Sequence, residues 1–243
     1  MTTANANWLD WPNGWWVEHV AETTSTNTDL FERAKLGAPA HLVIAADFQS
    51  AGRGRLDRTW EAVRGSNLLV SLLFRDLTRP QHHFAQLVGL AAVRACQQLS
   101  GVLPELKWPN DLLIENRKLS GLLSASGPDF VVVGIGINVN WAPEDAVSLS
   151  EFVGVDRLEP ADLLRLLLSN INDLEQVSFD ELYWLYSESI ATIGAAVRVE
   201  RTDRTVLVGI ATTVNRDGRL VVIDEGGITH LIDTGDIVHL RTT

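Results

Sequence analysis

Cysteine is almost absent from this 243-residue chain: Cys96 stands alone, and one thiol makes neither an internal disulfide nor a zinc cage. A secreted, disulfide-stapled scaffold is excluded. Long apolar runs are missing too. None reaches the roughly 18–20 residues that cross a bilayer, and the first twenty residues carry Asp10 and Glu18 with no basic region of the secretory type. The expected location is the cytoplasm, with no membrane partner. Positive charge is in deficit: 20 Lys+Arg against 31 Asp+Glu leave a formal charge of -11, and such a surface repels nucleic-acid phosphates. No nucleic-acid partner is expected. Lysine is scarcest, with Lys35, Lys107 and Lys118 as the full set. The chain also lacks G-x-x-x-x-G-K-[ST], H-E-x-x-H, C-x-x-C and G-x-S-x-G, which turns the reading away from P-loop, metalloprotease, thiol-redox and α/β-hydrolase chemistry.

What is present is a globular composition, 46% apolar and 21% charged. At this length roughly 70–75% of the unfolded surface is buried without staples. The pattern predicts a strand at 16–21, then a helix opened by the polar run Thr23-Thr24-Ser25-Thr26-Asn27, with Ser25 or Thr26 as N-cap and Gly37 closing it. A buried strand follows at 42–46, a loop at 48–66, a strand at 67–74 and a core-facing helix at 81–99. Runs at 111–114, 118–125 and 130–139, separated by Glu115-Asn116-Arg117 and Gly127-Pro128-Asp129, read as a meander. Helical spacing returns at 160–174, rich in Leu163, Leu164, Leu166, Leu167 and Leu168, and at 178–190. Composition changes at Gly194. Short β runs at 196–200, 205–214, 219–223, 228–232 and 236–240, with a hairpin at Asp217-Gly218 and a turn at Asp224-Glu225-Gly226-Gly227, suit a small SH3-type barrel. Two domains are expected, 1–193 and 194–243.

Three segments carry chemistry. Gly52-Arg53-Gly54-Arg55-Leu56-Asp57-Arg58 is not a dinucleotide fingerprint, because Asp57 replaces the third glycine and no helix opens there. Alone it reads as a solvated charged loop. The chemical alternative is an anion clamp, since glycines free the backbone and guanidinium forks bind carboxylate or phosphate bidentately. With Arg64, the stretch holds four cations in twelve residues. Lys107-Trp108-Pro109-Asn110-Asp111 turns at its proline and presents an amide, a carboxylate and an aromatic plane, although Trp108 itself reads as core. Beyond it, alternation puts Lys118, Ser120, Leu122 and Ser124 on one strand face and Leu119, Gly121, Leu123 and Ala125 on the other. Such a lysine is ordinarily a snorkelling surface residue. In 130–139, Val131, Val133, Ile135, Ile137 and Val139 share one face, while Val132, Gly134, Gly136, Asn138 and Asn140 share the other. Two same-face glycines either pack a neighbouring helix or leave a slot for a flat ring, with the Asn138 amide beside it. What remains is phosphate chemistry by arginine and lysine.

In order, S-T-N (25–27), Gln49 followed by A-G-R-G-R (51–55), R-x-W (58–60), K-W-P-N-D (107–111), R-K-L-S-G (117–121) and G-I-G-I-N (134–138) resemble bacterial biotin protein ligases. The resemblance covers roughly 20–140, and the β-rich tail is similar to that family's SH3-like C-terminal domain. It implies an α+β fold: a mixed-sheet catalytic domain related to class II aminoacyl-tRNA synthetases, plus the small barrel. It further implies that biotin and ATP give biotinyl-5′-AMP and pyrophosphate, after which a lysine of a biotin carboxyl carrier protein takes the biotinyl group. Ser25, Thr26, Asn27, Gln49, Arg53, Gly54, Arg55 and Lys118 would hold biotin and its adenylate, with Gly121, Gly134 and Gly136 beside them. Arg53, Arg55, Arg58, Trp60, Asn110, Lys118 and Asn138 would lie on the ATP side. Lys118, Arg55 and Asp111 would be catalytic, and Mg²⁺ would enter with ATP while the chain supplies no dedicated metal site. The chemistry agrees, because a carboxylate attacking an α-phosphate needs its charge repulsion cancelled. A homodimer is open.

The resemblance has two departures. Asp57 stands where the family loop carries glycine, so it is left out of the site as a residue expected to pair with a neighbouring arginine. The S-T-N segment begins 24 residues in, which is expected to leave no room for the N-terminal DNA-binding domain of some relatives. A lipoate or octanoate ligase of the same fold, or a non-catalytic biotin-binding regulator, is the alternative.

Overall fold

A computed structural model describes residues 10–55, 58–75, 78–154, 157–201, 205–233 and 236–239, the last of these by backbone only. Asp57, and with it the expected arginine pairing, lies outside the described residues.

A seven-stranded sheet is assembled from β1 (Trp16–Val20), β2 (Leu42–Ala46), β3 (Leu68–Phe74), β4 (Glu105–Lys107), β5 (Asp111–Ile114), β6 (Arg117–Ser126) and β7 (Val131–Ile137). Their order is β1-β2-β3-β7-β6-β5-β4. β1 and β2 run parallel, as their helical crossover requires, and the other neighbours are antiparallel. The mixed sheet and its helices make an α+β fold.

The crossover is α1 (Thr26–Lys35), which begins after Ser25 at the N-cap position. Asp29 lies in its first turn and Arg33 and Lys35 in its last, each sign suited to the helix dipole. Gly37, at φ +88, takes the left-handed conformation that ends it. Leu30 and Ala34 bury against Leu42, Ile44, Leu73 and Val132 on one face of the sheet. The other face is covered by α2 (Gln81–Ser100) and α3 (Pro160–Glu175), whose Leu87, Ala91, Leu163, Leu167 and Ile171 join Val131, Val133, Ile135 and Ile137 in the main core. Both faces of β2 and β3 are therefore buried along their length, which explains why β2 is apolar throughout and β3 at every position but Ser71. Leu166 turns partly outward, because the apolar stripe of α3 follows 163, 164, 167, 168 and 171.

The alternation along β7 places the site. Its odd residues face the core, Val132 meets α1, and Gly134 and Gly136 continue that face into the cavity described below.

After α4 (Phe179–Ser189), a five-stranded antiparallel sheet is built from β8 (Ala196–Glu200), β9 (Val206–Val214), β10 (Leu220–Asp224), β11 (Thr229–Ile232) and β12 (Asp236–His239), in the order β11-β10-β9-β8-β12. Gly218 at φ +80 and Gly227 at φ +78 sit in its two expected turns. Hydrogen bonds among the described residues tie it to the larger unit, among them Tyr183 Oη to the Val214 carbonyl at 2.6 Å, Trp108 Nε1 to the Gly218 carbonyl at 3.0 Å and Arg216 to Asp180 of α4.

Candidate active site

A cavity of about 480 Å³ opens over the glycine-bearing face of the sheet. Its floor is Val70 and Ser71 of β3, Gly121 and Leu123 of β6, and Gly134 and Gly136 of β7. Ser25, Thr26 and Asn27 form one wall with Gln49, the arginine segment forms another, and Asn110, Asp111 and Lys118 close the third. Every residue named from the sequence for biotin or ATP lines this one space.

The α1 wall is a hydrogen-bonded lattice. Thr26 donates to Gln49 Oε1 twice, from N at 2.7 Å and from Oγ1 at 3.0 Å, and its Oγ1 also lies 2.9 Å from Ser71 Oγ. Asn27 Nδ2 donates to the Leu123 carbonyl at 2.9 Å. Ser71 was not singled out from the sequence. Its signal is that it is the one polar residue in an otherwise apolar strand, and it is fully buried at the cavity.

The expected loop at 48–66 contains a small hairpin. Arg53 bridges Thr59, Gly54 N donates to the Arg58 carbonyl at 2.7 Å, and Trp60 N donates to the Gly52 carbonyl at 3.0 Å. A Cβ on Gly52 would stand 2.7 Å from the Trp60 carbonyl, so glycine is needed for close approach. Arg55 Nη1 reaches across to Asn110 Oδ1 at 3.2 Å, while Asn110 Nδ2 holds the Leu122 carbonyl at 2.8 Å. Arg64 does not belong to this cluster. It pairs with Glu22, donates to the Ala21 carbonyl at 2.8 Å and lies over Phe48. Three arginines, not four, reach the cavity.

Strict alternation misplaces Lys118. Leu113 pairs with Lys118 but Leu112 pairs with Ser120, so Leu119 is an extra residue, a β-bulge that resets the phase. Leu119 and Leu122 go to the core, and Lys118 comes to the side of Gly121: its Nζ is 3.2 Å from where a Gly121 Cβ would be. There it forms an ion pair with Asp111 Oδ1 at 2.7 Å and stands 5.7 Å from the Trp60 ring centroid.

The slot for a flat ring exists, and a protein ring occupies it. The Trp60 indole lies so close over Gly136 that a Cβ there would stand 2.5 Å from Cε2, and Gly121 is 3.1 Å from Cζ3 by the same measure. Asn27 fills the space over Gly134, at 2.8 Å. Trp60 Nε1 is buried there without a hydrogen-bond partner, an orphan donor that a ligand acceptor would satisfy. Asn138 is 1% exposed: its Oδ1 accepts from Asn67 Nδ2 at 3.3 Å and its Nδ2 donates to the Lys118 carbonyl at 3.4 Å. It therefore braces β6 against β7 while lining the cavity.

Four acids share the lining with four bases: Glu61, Asp111, Glu144 and Asp145 against Arg53, Arg55, Arg58 and Lys118. The segment 143–146 was missed from the sequence, since nothing local marks it. It is placed by Val147 N donating to the Lys118 carbonyl at 3.0 Å. Lys107 and Trp108 lie outside the lining, and Trp108 is core, 3% exposed.

The Biotin/lipoate A/B protein ligase family profile matches residues 20–140, and that of the Biotin protein ligase C terminal domain matches 192–240. The biotin--[acetyl-CoA-carboxylase] ligase of Mycobacterium tuberculosis is 39% identical over 249 residues, covering 94% of this chain and 91% of that protein. The bifunctional ligase/repressor BirA of Bacillus subtilis is 31% identical, covering 84% of this chain and 68% of that protein. Among solved structures, biotin protein ligase from Aquifex aeolicus in complex with biotin and ATP superposes with a TM-score of 0.76 at 28% identity, covering 93% of this chain and 99% of that one. Sequence, fold and the arrangement of the cavity converge, and the chain belongs to the biotin protein ligase family.

Proposed function

We propose that this protein is an ATP-dependent biotin protein ligase acting on a lysine of a biotin carboxyl carrier protein. The observation that carries the reading is the meeting of Lys118, paired to Asp111, with Arg55, tethered to Asn110, above a glycine-floored cavity of about 480 Å³. That size suits a small ligand held by a few convergent polar groups.

In the first step a biotin carboxylate oxygen attacks the α-phosphorus of ATP. The new carboxylate O–Pα bond of a mixed anhydride forms, the bond from Pα to the bridging oxygen breaks, and pyrophosphate leaves with the electron pair. Two anions must meet, so fixed positive charge is the chief requirement. Lys118, a compact charge anchored by Asp111, serves the carboxylate and α-phosphate, and Arg53, Arg55 and Arg58 serve the phosphates and the adenylate. Ser25, Thr26, Asn27 and Gln49 hold the biotin end beside Gly121, Gly134 and Gly136, while Trp60, Asn110 and Asn138 bound the nucleotide end. In the second step the neutral amine of the carrier lysine attacks the acyl carbon, the C–N amide bond forms, the acyl C–O bond breaks with its electron pair leaving on AMP, and the proton lost by the nitrogen passes to water.

Among the described residues no three His, Cys, Asp or Glu side chains gather to hold a metal. Glu61, Glu144 and Asp145 on the lining offer hard oxygens for one or two positions around Mg²⁺, which fits an ion carried mainly by phosphate and water. When bound it supplies further neutralisation of the phosphate charge. Residues 1–193 would carry this chemistry and 194–243 the C-terminal unit. Among the described residues no helix is long and apolar enough to cross a membrane, and we place the activity in the cytoplasm.

The test is incubation with biotin, ATP and a carrier domain, read by streptavidin blot and pyrophosphate release. Lipoate and octanoate serve as competing acids. Release with either of those but not with biotin would overturn the reading.

A further inference from the structure

We infer that Trp108 is a positioning residue for this reaction and that the hairpin joining β9 to β10 is the brace it works through; the inference rests on the reading just given. Trp108 is buried and does not line the cavity. It is held at two points by groups outside the site: its indole N–H donates to the Gly218 carbonyl at 3.0 Å and its backbone N–H to Thr192 Oγ1 at 3.1 Å. Two residues on, Asn110 holds Arg55, and three residues on, Asp111 holds Lys118. The side chains that hold Arg55 and Lys118 thus both hang from the turn that begins at Trp108.

An anchor positions only if its acceptor is itself fixed. The hairpin meets that condition from several sides. Tyr183 Oη donates to the Val214 carbonyl at 2.6 Å, and Arg216 pairs with Asp180 of α4. At the tip, Asn215 Oδ1 accepts from Asp217 N at 3.0 Å and Arg219 N at 2.9 Å. Gly218 rests against α2 so closely that a Cβ would begin 2.9 Å from the His82 ring. The C-terminal sheet therefore presents Gly218 O as a rigid point, and the indole N–H transfers that rigidity to the Asn110–Asp111 turn. Small displacements matter here, because reacting groups held 1 Å from their productive place lose orders of magnitude in rate.

A purely structural role, cementing the two sheets, makes different predictions. Trp108→Phe keeps a buried ring and deletes the donor. Trp15→Phe deletes an indole donor of the same kind, which reaches Asn172 Oδ1 at 2.7 Å and touches neither the hairpin nor the turn. Under the inference, Trp108→Phe lowers kcat for biotin-dependent pyrophosphate release about 5–10-fold per folded molecule, the equivalent of one buried hydrogen bond. KM for biotin stays within about twofold, since Thr26, Gln49 and Ser71 are tied to other elements. Amide hydrogen exchange, measured on the free protein, quickens at 110–114 and 117–123. Thr192→Val, which cuts the second tie, moves the same way and stands in should Trp108→Phe fold poorly. Trp15→Phe lowers Tm with neither effect. Unchanged kcat and exchange in the folded Trp108 or Thr192 variant, or an equal kinetic loss in Trp15→Phe, overturns the inference. A wild-type protein without biotin-dependent pyrophosphate release overturns the functional reading instead, and the exchange measurement still decides the brace.

Discussion

Lys118 and Asp111 meet across the point where β5 and β6 slip register, with Nζ 2.7 Å from Oδ1. The bulge does this. Without the extra Leu119 the lysine would continue the face of Ser120 and Leu122, and the cavity would lose its compact cation.

The first prediction concerns that lysine. Adenylate formation brings carboxylate and phosphate together, whereas transfer from a finished mixed anhydride does not. Lys118→Ala is expected to slow pyrophosphate release by about 10²–10³-fold, the usual size of one electrostatic donor in a closed site. Transfer from supplied biotinyl-AMP should suffer less. Single-turnover assays of the two half-reactions compare them, and equal impairment would remove the assigned role.

The second concerns the glycine floor. A methyl at Gly136 would stand 2.5 Å from Trp60 Cε2, while at Gly154 it would meet nothing within 4 Å. Gly136→Ala must displace the indole or the strand, so a loss of about 1–3 kcal/mol in urea stability is expected, the usual penalty of overpacking, together with a raised KM for ATP. Gly154→Ala should do neither. A Gly136→Ala protein matching wild type in both measurements would show that the Trp60 placement is not required.

Much of this was legible in the sequence, and the misses share a cause. Period-2 and period-3.6 patterns located the meander 111–114, 118–125 and 130–139 and the helices, because each buries one regular face. The split of β7 into a core face and a glycine face was readable for the same reason. Alternation alone puts Lys118 on the face of Ser120, because a bulge is a pairing event between two strands and leaves no mark in either strand's own periodicity. Arg64 belongs to the run of cations along the chain but not to the cavity, because proximity along the chain says nothing of direction, and Glu22 with Phe48 draws it away. The occupant of the glycine slot was hidden because Trp60 is 76 positions from Gly136. Glu144 and Asp145 reach the cavity only through pairing of their segment with β6.

The third prediction is a pH dependence remote from the cavity. His83 is fully buried, and Arg79 Nη1 lies 2.9 Å from its Nε2, a donor facing a nitrogen that must therefore stay unprotonated. Burial, then the charges of Arg79 and His82, lower the imidazole from 6.5 to about 4. The unfolded chain takes up a proton below pH 6.5 that the folded chain refuses, so this stabilisation is complete above pH 6.5 and is lost as the pH falls toward 4. On the order of 2 kcal/mol should disappear over that window after allowance for solvent screening. His83→Phe, whose ring suits the neighbouring Phe84 and Phe179, should flatten the decline. Urea midpoints at pH 7, 5.5 and 4 measure it, and an equal decline in the variant would assign the effect to other groups.

The last prediction concerns leakage. A mixed carboxylic–phosphoric anhydride reacts with any amine, so a protein that makes one must retain it and exclude water until the carrier lysine arrives. Arg55 is suited to retention, since it spans from the glycine-flanked hairpin to Asn110 at 3.2 Å and so closes one wall of the cavity. Removing one cation from such a clamp costs about 1.5–3 kcal/mol, or roughly 10–150-fold in retention. Activation depends more on Lys118, whose pairing with Asp111 does not involve Arg55. Arg55→Gly is therefore expected to keep consuming ATP in the presence of biotin while releasing the adenylate, and to label bystander proteins without selectivity. Biotin incorporation into an unrelated lysine-rich protein, wild type against variant, is the measurement. The variant must first be shown to release pyrophosphate with biotin. If it does so and labels the bystander no more than wild type, confinement lies elsewhere on the lining, and the hairpin arginines serve binding alone.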